Sequence, residues 1–228
     1  MCSKYDFGVS AASLATFPGL EISVLRQAVD DHFPDHPDNA QIDTLSGPRR
    51  PTDAVWIIGM NGVPTIRRWG LKVIGVKGPV INARAESLDH KPAFQDLLMQ
   101  RCLIPATRWS EWRKDGSTHH QNHITLPGHT PFFFAGLENG VECVIITCAP
   151  APAIAHIHDR MPAIIGPTHH TGWLDAQQNF SKVFTMLRPV PDAVLKWQED
   201  LSAKQQPGLF EDAISLQQDH LPRTAQPD

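Results

Sequence analysis

Short apolar runs separated by turn residues fill the middle of the chain. The runs have the length of strands, are rich in β-branched and aromatic residues, and lie at positions 54–58, 65–71, 101–106, 109–113, 132–137 and 141–149. Turn dipeptides separate the later runs at Asp115-Gly116, Pro127-Gly128 and Asn139-Gly140. An Asn-Gly pair between two apolar runs is a strong hairpin signal. The pattern therefore predicts an antiparallel sheet built from hairpins.

Helical patterns flank these runs. Apolar residues recur every three to four positions over 20–33, and shorter helical segments are predicted at 92–100, 152–156, 172–184 and 192–199. Residues 34–51 are rich in Pro, Asp and Asn and predict a loop, and the polar tail after about residue 217 is expected to fray. We therefore predict an α+β fold, a single domain over residues 1–228, with an antiparallel, partly closed, barrel-like sheet flanked by helices.

The composition is that of an ordinary globular protein, with 41% hydrophobic and 19% charged residues. No apolar stretch approaches the roughly 18 residues that cross a membrane, and the N-terminus lacks the apolar run of a signal peptide. We therefore expect a cytoplasmic protein whose four cysteines are thiols. Cys143 and Cys148 would face opposite sides of one strand, which argues against a zinc site using both. We expect neither a metal nor a cofactor.

Charge is unevenly distributed along the chain. The net charge is -4, but residues 47–114 carry twelve Lys and Arg against five Asp and Glu, a local surplus of seven, which leaves -11 for the remainder. An internal basic block in an acidic chain indicates a local anion-binding face, although a scattered, solvated surface would give the same count.

Cys2 is the first candidate for chemistry. Removal of Met1 would expose an N-terminal cysteine that carries both an α-amine and a thiol. The α-amine has an ordinary pKa of about 7.7–8.0, so a large fraction is neutral and nucleophilic just above neutral pH. It could capture an aldehyde as a Schiff base, and the neighbouring thiol could then close a five-membered thiazolidine ring. From its position alone, Cys2 could equally be a second residue without a role.

Three further segments carry polar residues in suggestive patterns. Asn82, Arg84 and Glu86 alternate, so in an extended segment they share a face that could bind a phosphate. Glu111 lies between Trp109 and Trp112, and partial desolvation there would raise its pKa toward neutrality and suit it to acid–base work. Solvated strand edges are the simpler reading of both segments.

The fourth segment contains His156 and His158. Two histidines spaced by two residues could bind a metal, but no third ligand is evident in the sequence. His158, beside Asp159 and Arg160, is a better candidate for a single proton donor. The other histidines fall in predicted loops and are most simply surface residues: His119, His120, His123 and His129.

Taken together, these segments resemble the SRAP family (SOS response-associated peptidases). The resemblance runs from Cys2 to about Ile165, roughly three quarters of the chain. Each motif is weak alone, but their shared order and spacing is specific. The motifs are Met1-Cys2, Trp69-Gly70-Leu71, residues 81–87 (INARAES), residues 101–106 (RCLIPA), Glu111-Trp112, Ala135-Gly136-Leu137 and residues 158–162 (HDRMP).

The resemblance implies a DNA-repair enzyme. Met1 would be removed by autocatalysis, and Cys2 would form a covalent thiazolidine link with abasic sites in single-stranded DNA. Asn82 would position the amine or the sugar, Glu111 would shuttle protons during Met1 removal and Schiff-base formation, and His158 would act on the sugar oxygen. The protein would act as a monomer and associate with the nucleoid when on DNA. Its implied DNA-binding residues are Lys4, Trp69, Arg84, Trp112 and Arg160.

The chain departs from the family pattern at four positions. Ser3 and Lys4 replace the usual Gly and Arg, and lysine loses the bidentate grip of arginine on a phosphate. Arg108 stands where a glycine is common, and Ser110 replaces an aromatic residue. These departures bear on DNA affinity more than on chemistry.

Two other function classes fit parts of the pattern. A thiol peptidase acting on other proteins would not need a free α-amine, so blocking the N-terminus would spare it. A reversible single-stranded-DNA-binding module would leave no covalent adduct on a denaturing gel.

Overall fold

The structure is a computed structural model that describes residues 2–8, 27–28, 30–32 and 46–201. The helix predicted over 20–33 therefore lies largely outside the described residues, and those that are described, 27, 28 and 30–32, are helical. The predicted loop up to residue 45 and the polar tail after 217 lie outside the described residues.

The described part of the chain is built mainly from β-strands, with short helices between them. The strands are β1 (Lys4–Phe7), β2 (Gly47–Arg49), β3 (Ala54–Gly59), β4 (Pro64–Trp69), β5 (Asn82–Arg84), β6 (Arg101–Ala106), β7 (Arg108–Asp115), β8 (Thr118–Thr125), β9 (Phe132–Glu138), β10 (Glu142–Cys148), β11 (Met161–Pro162), β12 (Ile164–Ile165) and β13 (Lys196–Glu199). The α-helices are α1 (Pro92–Gln95), α2 (His170–Leu174) and α3 (Phe180–Val183).

Strand β10 closes a ring of five strands. The order β10–β4–β3–β6–β9 returns to β10, because β10 pairs with β4 in parallel and with β9 in antiparallel orientation. A second, open sheet has the order β13–β8–β7–β1–β2 and is antiparallel throughout. This architecture confirms the prediction of an α+β fold with a partly closed sheet.

Aromatic side chains join the two sheets. Tyr5 of the open sheet meets Trp69 and Phe134 of the ring edge to face, with ring centroids 5.2 and 5.6 Å apart. Trp109 contacts Phe132 and Phe134 in the same way, at 5.7 and 6.1 Å. All five side chains are buried. Each such pair adds about 0.5–1.5 kcal/mol to the stabilisation by burial, so the inner face of β1 and β7 is fixed against the ring.

Most apolar strands lie where the sequence predicts them, and the Asn139-Gly140 turn joins β9 to β10 as a hairpin. Strands β1, β2, β8, β11, β12 and β13 were not predicted, and β2 lies within the segment 34–51 that was predicted as a loop. The prediction that His119, His120 and His123 lie in loops is wrong, since all three lie on β8. The segment 192–199 was predicted as a helix; only Asp192–Val194 forms a 3-10 turn, and the chain then enters β13.

The predicted helical segments at 92–100, 152–156 and 172–184 are shorter than expected. The first is reduced to α1, and the second to a 3-10 turn over Pro152–Ile154. The third begins earlier and is divided into α2 and α3, followed by a 3-10 turn at Phe184–Met186. Within the described ranges no helix is both long and apolar enough to cross a membrane.

Candidate active site

Strand β1 leads Cys2 into the gap between the two sheets. Cys2 is fully buried, its thiol points to the Lys4 carbonyl at 3.8 Å, and the Asn82 side-chain amide donates to the Cys2 carbonyl at 2.7 Å. Burial, together with the negative charge of Glu111, raises the pKa of the Cys2 thiol well above its usual value. Cys2 is thus held next to two of the predicted site residues.

Asn82 reaches Cys2 because β5 is fixed along β10. Asn82 pairs with Ile145 in parallel register. The Trp69 indole donates to the Ile81 carbonyl at 2.9 Å and so secures the chain just before Asn82. The Oδ1 atom of Asn82 is buried and has no hydrogen-bond partner among the described residues, which makes it available to an incoming donor.

Glu111 lies on β7 on the side of the sheet that faces the ring. Its neighbour Ser110 pairs with Lys4, which brings the N-terminal strand alongside. Glu111 is 1% exposed, and burial raises its pKa to about 7, an effect partly offset by the positive charge of the chain's N-terminal amino group. The prediction of a pKa near neutrality is confirmed. At neutral pH such a group can both accept and release a proton.

His158 follows the 3-10 turn at Pro152–Ile154 and is half-buried. The Arg160 amide donates to its Nδ1 at 3.0 Å, and the Asp159 carboxylate lies 2.9 Å from the same atom. The amide N–H can only donate and suits an unprotonated Nδ1, whereas the carboxylate can only accept and suits a protonated one, so the two contacts oppose each other at this atom. Burial lowers the pKa of His158, followed by repulsion from the N-terminal amino group.

An ion pair between the nearly buried Arg160 and the exposed Glu86 holds the His158 segment in place. The Arg160 guanidinium donates to both Glu86 carboxylate oxygens at 2.6 and 2.8 Å and to the Thr147 carbonyl at 2.7 Å. Such a bidentate pair fixes geometry as well as charge. Arg160 is only 9% exposed, so its principal contacts in the described structure are with the protein itself.

The other predicted DNA-binding residues differ in their exposure. Arg84 is exposed, whereas Lys4 and Trp112 are half-buried. Trp69 is 0% exposed and lies in the core, where its indole cannot reach a ligand, so its part in the cleft is to hold the segment before Asn82.

Four members of the basic block are engaged inside the protein. Arg67 pairs with Glu138, Arg113 with Glu199, and Arg108 with Asp6. Arg101 is buried and donates to four backbone carbonyls. The positive surface is therefore smaller than the sequence count indicates, and the exposed cations of the block are Arg50, Arg68, Lys72, Lys77, Arg84, Lys91 and Lys114.

Two departures from the family pattern have structural partners. Arg108 contacts the nearly buried carboxylate of Asp6 at 2.7 Å. Ser110 is buried and its hydroxyl lies 3.1 Å from Nδ1 of His123. Both side chains therefore belong to a polar network on the outer face of the open sheet, away from Glu111.

Asn122 is a polar residue of the site that sequence reasoning missed. It lies on β8 directly opposite Glu111 and is fully buried. The signal that could have revealed it is the Asp115-Gly116 turn, because a hairpin there pairs β7 with the following segment. In the described part of the chain, no three His, Cys, Asp or Glu side chains are grouped so that they could hold a metal ion.

Comparison with known proteins agrees with this arrangement. The profile of the family described as SOS response associated peptidase (SRAP) matches residues 1–202. The chain belongs to the SRAP family. This membership covers β1 to β13 and thus every residue of the candidate site.

Relatives in the family carry names that refer to abasic sites. The chain is similar to the abasic site processing protein YoaM of Bacillus subtilis, with 39% identity over 126 residues, or 47% of this chain and 55% of that protein. It is also similar to the abasic site processing protein YedK of Escherichia coli, with 31% identity over 107 residues, or 43% and 48% of the two chains. The chain thus spans about half the length of the curated relatives it matches.

A crystal structure of a protein from Bacteroides thetaiotaomicron has the same fold, with a TM-score of 0.67 over 87% of this chain and 91% of that one. The sequences are 20% identical, so this likeness concerns the SRAP fold alone.

Proposed function

We propose that this protein captures abasic sites in single-stranded DNA through a covalent bond to Cys2. The observation that carries the proposal is the hydrogen bond from Asn82 to the Cys2 carbonyl, beside the buried Glu111 carboxyl group with its pKa of about 7. The names of the relatives support abasic sites as the target. In this proposal the protein shields the lesion, and Met1 is removed beforehand.

The proposed reaction converts an aldehyde into a thiazolidine with the loss of one water molecule. Opening of the abasic sugar breaks the bond between C1′ and the ring oxygen; the ring oxygen takes up a proton, and the C1′ hydroxyl releases one to become the aldehyde carbonyl. The Cys2 amine adds to the C1′ carbonyl, and the resulting carbinolamine loses its hydroxyl as water to give an imine. The thiol sulfur then bonds to C1′, its proton passes to nitrogen, and the five-membered ring closes.

Two groups divide the proton transfers in this proposal. Glu111 accepts a proton from the Cys2 amine and returns one to the departing hydroxyl, which suits a carboxyl group with a pKa of about 7. In this proposal His158 donates a proton to the ring oxygen of the sugar. Asn82 Oδ1, which is buried and has no partner within the described residues, accepts from the amine or from a sugar hydroxyl.

The DNA strand is held mainly through its phosphates. Arg84 is exposed two residues beyond Asn82 and is therefore the first candidate for a phosphate contact, with Lys4 beside Cys2 as a second. Trp112 lies on the face of the open sheet opposite Glu111 and is therefore left out of the contacts proposed at Cys2. The ion pair between Arg160 and Glu86 keeps His158 in position.

Intact-mass measurement after incubation with an abasic single-stranded oligonucleotide tests the proposal. The expected adduct has the mass of the protein without Met1, plus the oligonucleotide, minus one water. Cys2→Ala should give no heat-stable adduct, and Cys2→Ser should give only a reversible imine, because the thiazolidine needs sulfur. Cys148→Ala is the matched control, since it removes a different thiol, at the end of β10, and this variant should crosslink normally. A heat-stable adduct of normal yield from Cys2→Ala would refute the proposal.

A further inference from the structure

Asn122 faces Glu111 across the open sheet. The pairing of β7 with β8 places the two residues directly opposite each other, so their side chains leave the same face of the sheet. Glu111 is 1% and Asn122 0% exposed. Strand β7 lies between β1 and β8. Glu111 therefore has the N-terminal strand on one side and Asn122 on the other.

The Asn122 side chain has an unused acceptor. Its amide nitrogen donates to the His120 carbonyl at 2.9 Å, whereas its Oδ1 is buried without a hydrogen-bond partner among the described residues. Buried acceptors are rarely left in this state, because the lost hydration is not replaced. An ionised Glu111 cannot donate a hydrogen bond to Asn122 Oδ1, since a carboxylate only accepts hydrogen bonds. A protonated Glu111 can, since its carboxyl group carries an O–H donor.

We propose that Asn122 is a positioning residue for Glu111, whose protonated carboxyl group donates a hydrogen bond to Asn122 Oδ1. The bond orients the carboxyl plane and holds the proton-bearing state between the two proton transfers assigned to Glu111. The inference rests on the proposed function for its catalytic meaning, but the contact itself belongs to the protein alone. A hydrogen bond to the neutral form favours that form, which agrees in direction with the raised pKa of Glu111.

Other charged groups surround this pair. On the N-terminal side lie the Cys2 thiol and the N-terminal amino group, and on the segment before β11 lie Asp159 and His158. Strand β13 places Glu199 opposite Asn122 on its other side, where Glu199 contacts Arg113 and His120. Asn122 thus separates two carboxyl groups, of which Glu199 has the cation Arg113 as a partner.

The test is the titration of Glu111 in the protein without DNA, followed by carboxyl carbon NMR of labelled glutamate and assigned with Glu111→Gln. Asn122→Leu removes the acceptor at nearly constant shape and should lower the midpoint by about one pH unit, a tenfold loss in proton affinity and the scale of one hydrogen bond. Asn122→Asp places a negative charge beside Glu111 and should raise the midpoint by about one unit or more. A merely structural role would not move the midpoint in opposite directions.

Gln121→Leu is the matched control, because Gln121 lies on the same strand but faces the other side of the sheet. Its Glu111 midpoint should equal that of the wild type. If Asn122→Asp does not fold, Asn122→Ser, which keeps an oxygen acceptor on a shorter arm, should give a midpoint between those of Asn122→Leu and the wild type.

Two results for Asn122→Leu would overturn the inference. An unchanged midpoint would make Asn122 structural, and a raised midpoint would mean that its amide nitrogen donates to the ionised carboxylate instead. Neither result depends on adduct formation, so failure of the inference is distinct from failure of the proposed function. If wild-type protein forms no adduct but Asn122→Leu still lowers the midpoint, only the proposed function is lost.

Discussion

At the scale of single residues, the main feature is a carboxyl group kept in an unfavourable environment. Glu111 lies in a buried position where burial raises its pKa from 4.5 to about 7. The same burial that tunes the group for proton transfer must cost folding free energy whenever the carboxyl group is ionised. Function and stability are therefore opposed at this position.

Glu111→Gln should stabilise the protein above neutral pH. Since the folded-state pKa is raised, the cost of ionisation is absent below pH 4.5, grows between pH 4.5 and 7, and is complete above pH 7. A shift of this size corresponds to about 3 kcal/mol, or a rise in Tm of about 5–10 °C. Thermal unfolding at pH 4.5 and pH 8 measures the difference. Glu138→Gln, which removes an ion pair with Arg67, should show no gain at either pH.

Substitutions of Glu111 and His158 should have different effects on Met1 removal when that reaction is measured separately from crosslinking. Glu111→Ala should retain Met1 and crosslink slowly, because hydrolysis of the Met1–Cys2 bond and imine formation both need a base. His158→Ala should lose Met1 normally and mainly slow sugar opening or adduct reversal. Each effect should fall in the range of about 10²–10⁴-fold that general acid–base catalysis supplies. Intact mass and a time course on abasic single strands give both readouts. Full processing of Glu111→Ala at a normal crosslinking rate would contradict the assignment.

At the scale of secondary-structure elements, the sequence predicts the longer apolar strands and misses strands that are polar or very short. Strand β10 is buried throughout and is evident from its β-branched run. Strand β8 begins with six polar residues in a row, Thr118 to His123, and exists because the Asp115-Gly116 turn folds it onto β7. Strand β1 has partners about 44 and 104 residues away, Arg49 and Trp109, which no local pattern can reveal.

The turn after β4 depends on a glycine. Gly70 has φ +125°, and a Cβ at this position would lie 2.7 Å from the Cβ of Pro79. Gly70→Ala should therefore destabilise the protein by about 2–4 kcal/mol, through backbone strain and through the clash. Gly140→Ala is the matched control, because Gly140 has φ +88° but an added Cβ meets nothing within 4 Å. Its cost should be about 1 kcal/mol. Urea unfolding of both variants tests this, and equal losses would exclude the clash.

At the scale of the whole molecule, a protein of net charge -4 must concentrate its cations to bind DNA. Arg84→Ala should weaken capture of single-stranded DNA and reduce the salt dependence of log K by about 0.7, the contribution of one phosphate contact. Lys114→Ala is the control, since Lys114 is also exposed but lies beside the turn between β7 and β8. Identical salt slopes for wild type and Arg84→Ala would mean that Arg84 makes no phosphate contact.

The candidate site was only partly accessible from the sequence. Motifs identify Cys2, Asn82, Glu111 and His158, and the structure brings them together around the N-terminal strand. The motifs cannot show that Arg160 forms an ion pair with Glu86 or that Trp69 is buried, because both features depend on contacts between distant segments. Asn122 was not identified from the sequence, because it is placed opposite Glu111 by strand β8, which was not predicted.

The closed ring of strands also has a consequence for the order of events during synthesis. Cys2 leaves the ribosome before its partners Asn82, Glu111 and His158, which follow 80 to 156 residues later. At a synthesis rate of about 5–20 residues per second, about 10–30 s pass between the synthesis of Cys2 and that of its last partner, His158. The ring cannot close until β10 has paired with both β4 and β9. In the proposed maturation, a nascent or truncated chain therefore keeps Met1, and its Cys2 amine stays blocked. Only a completely folded molecule exposes the reactive Cys2 amine.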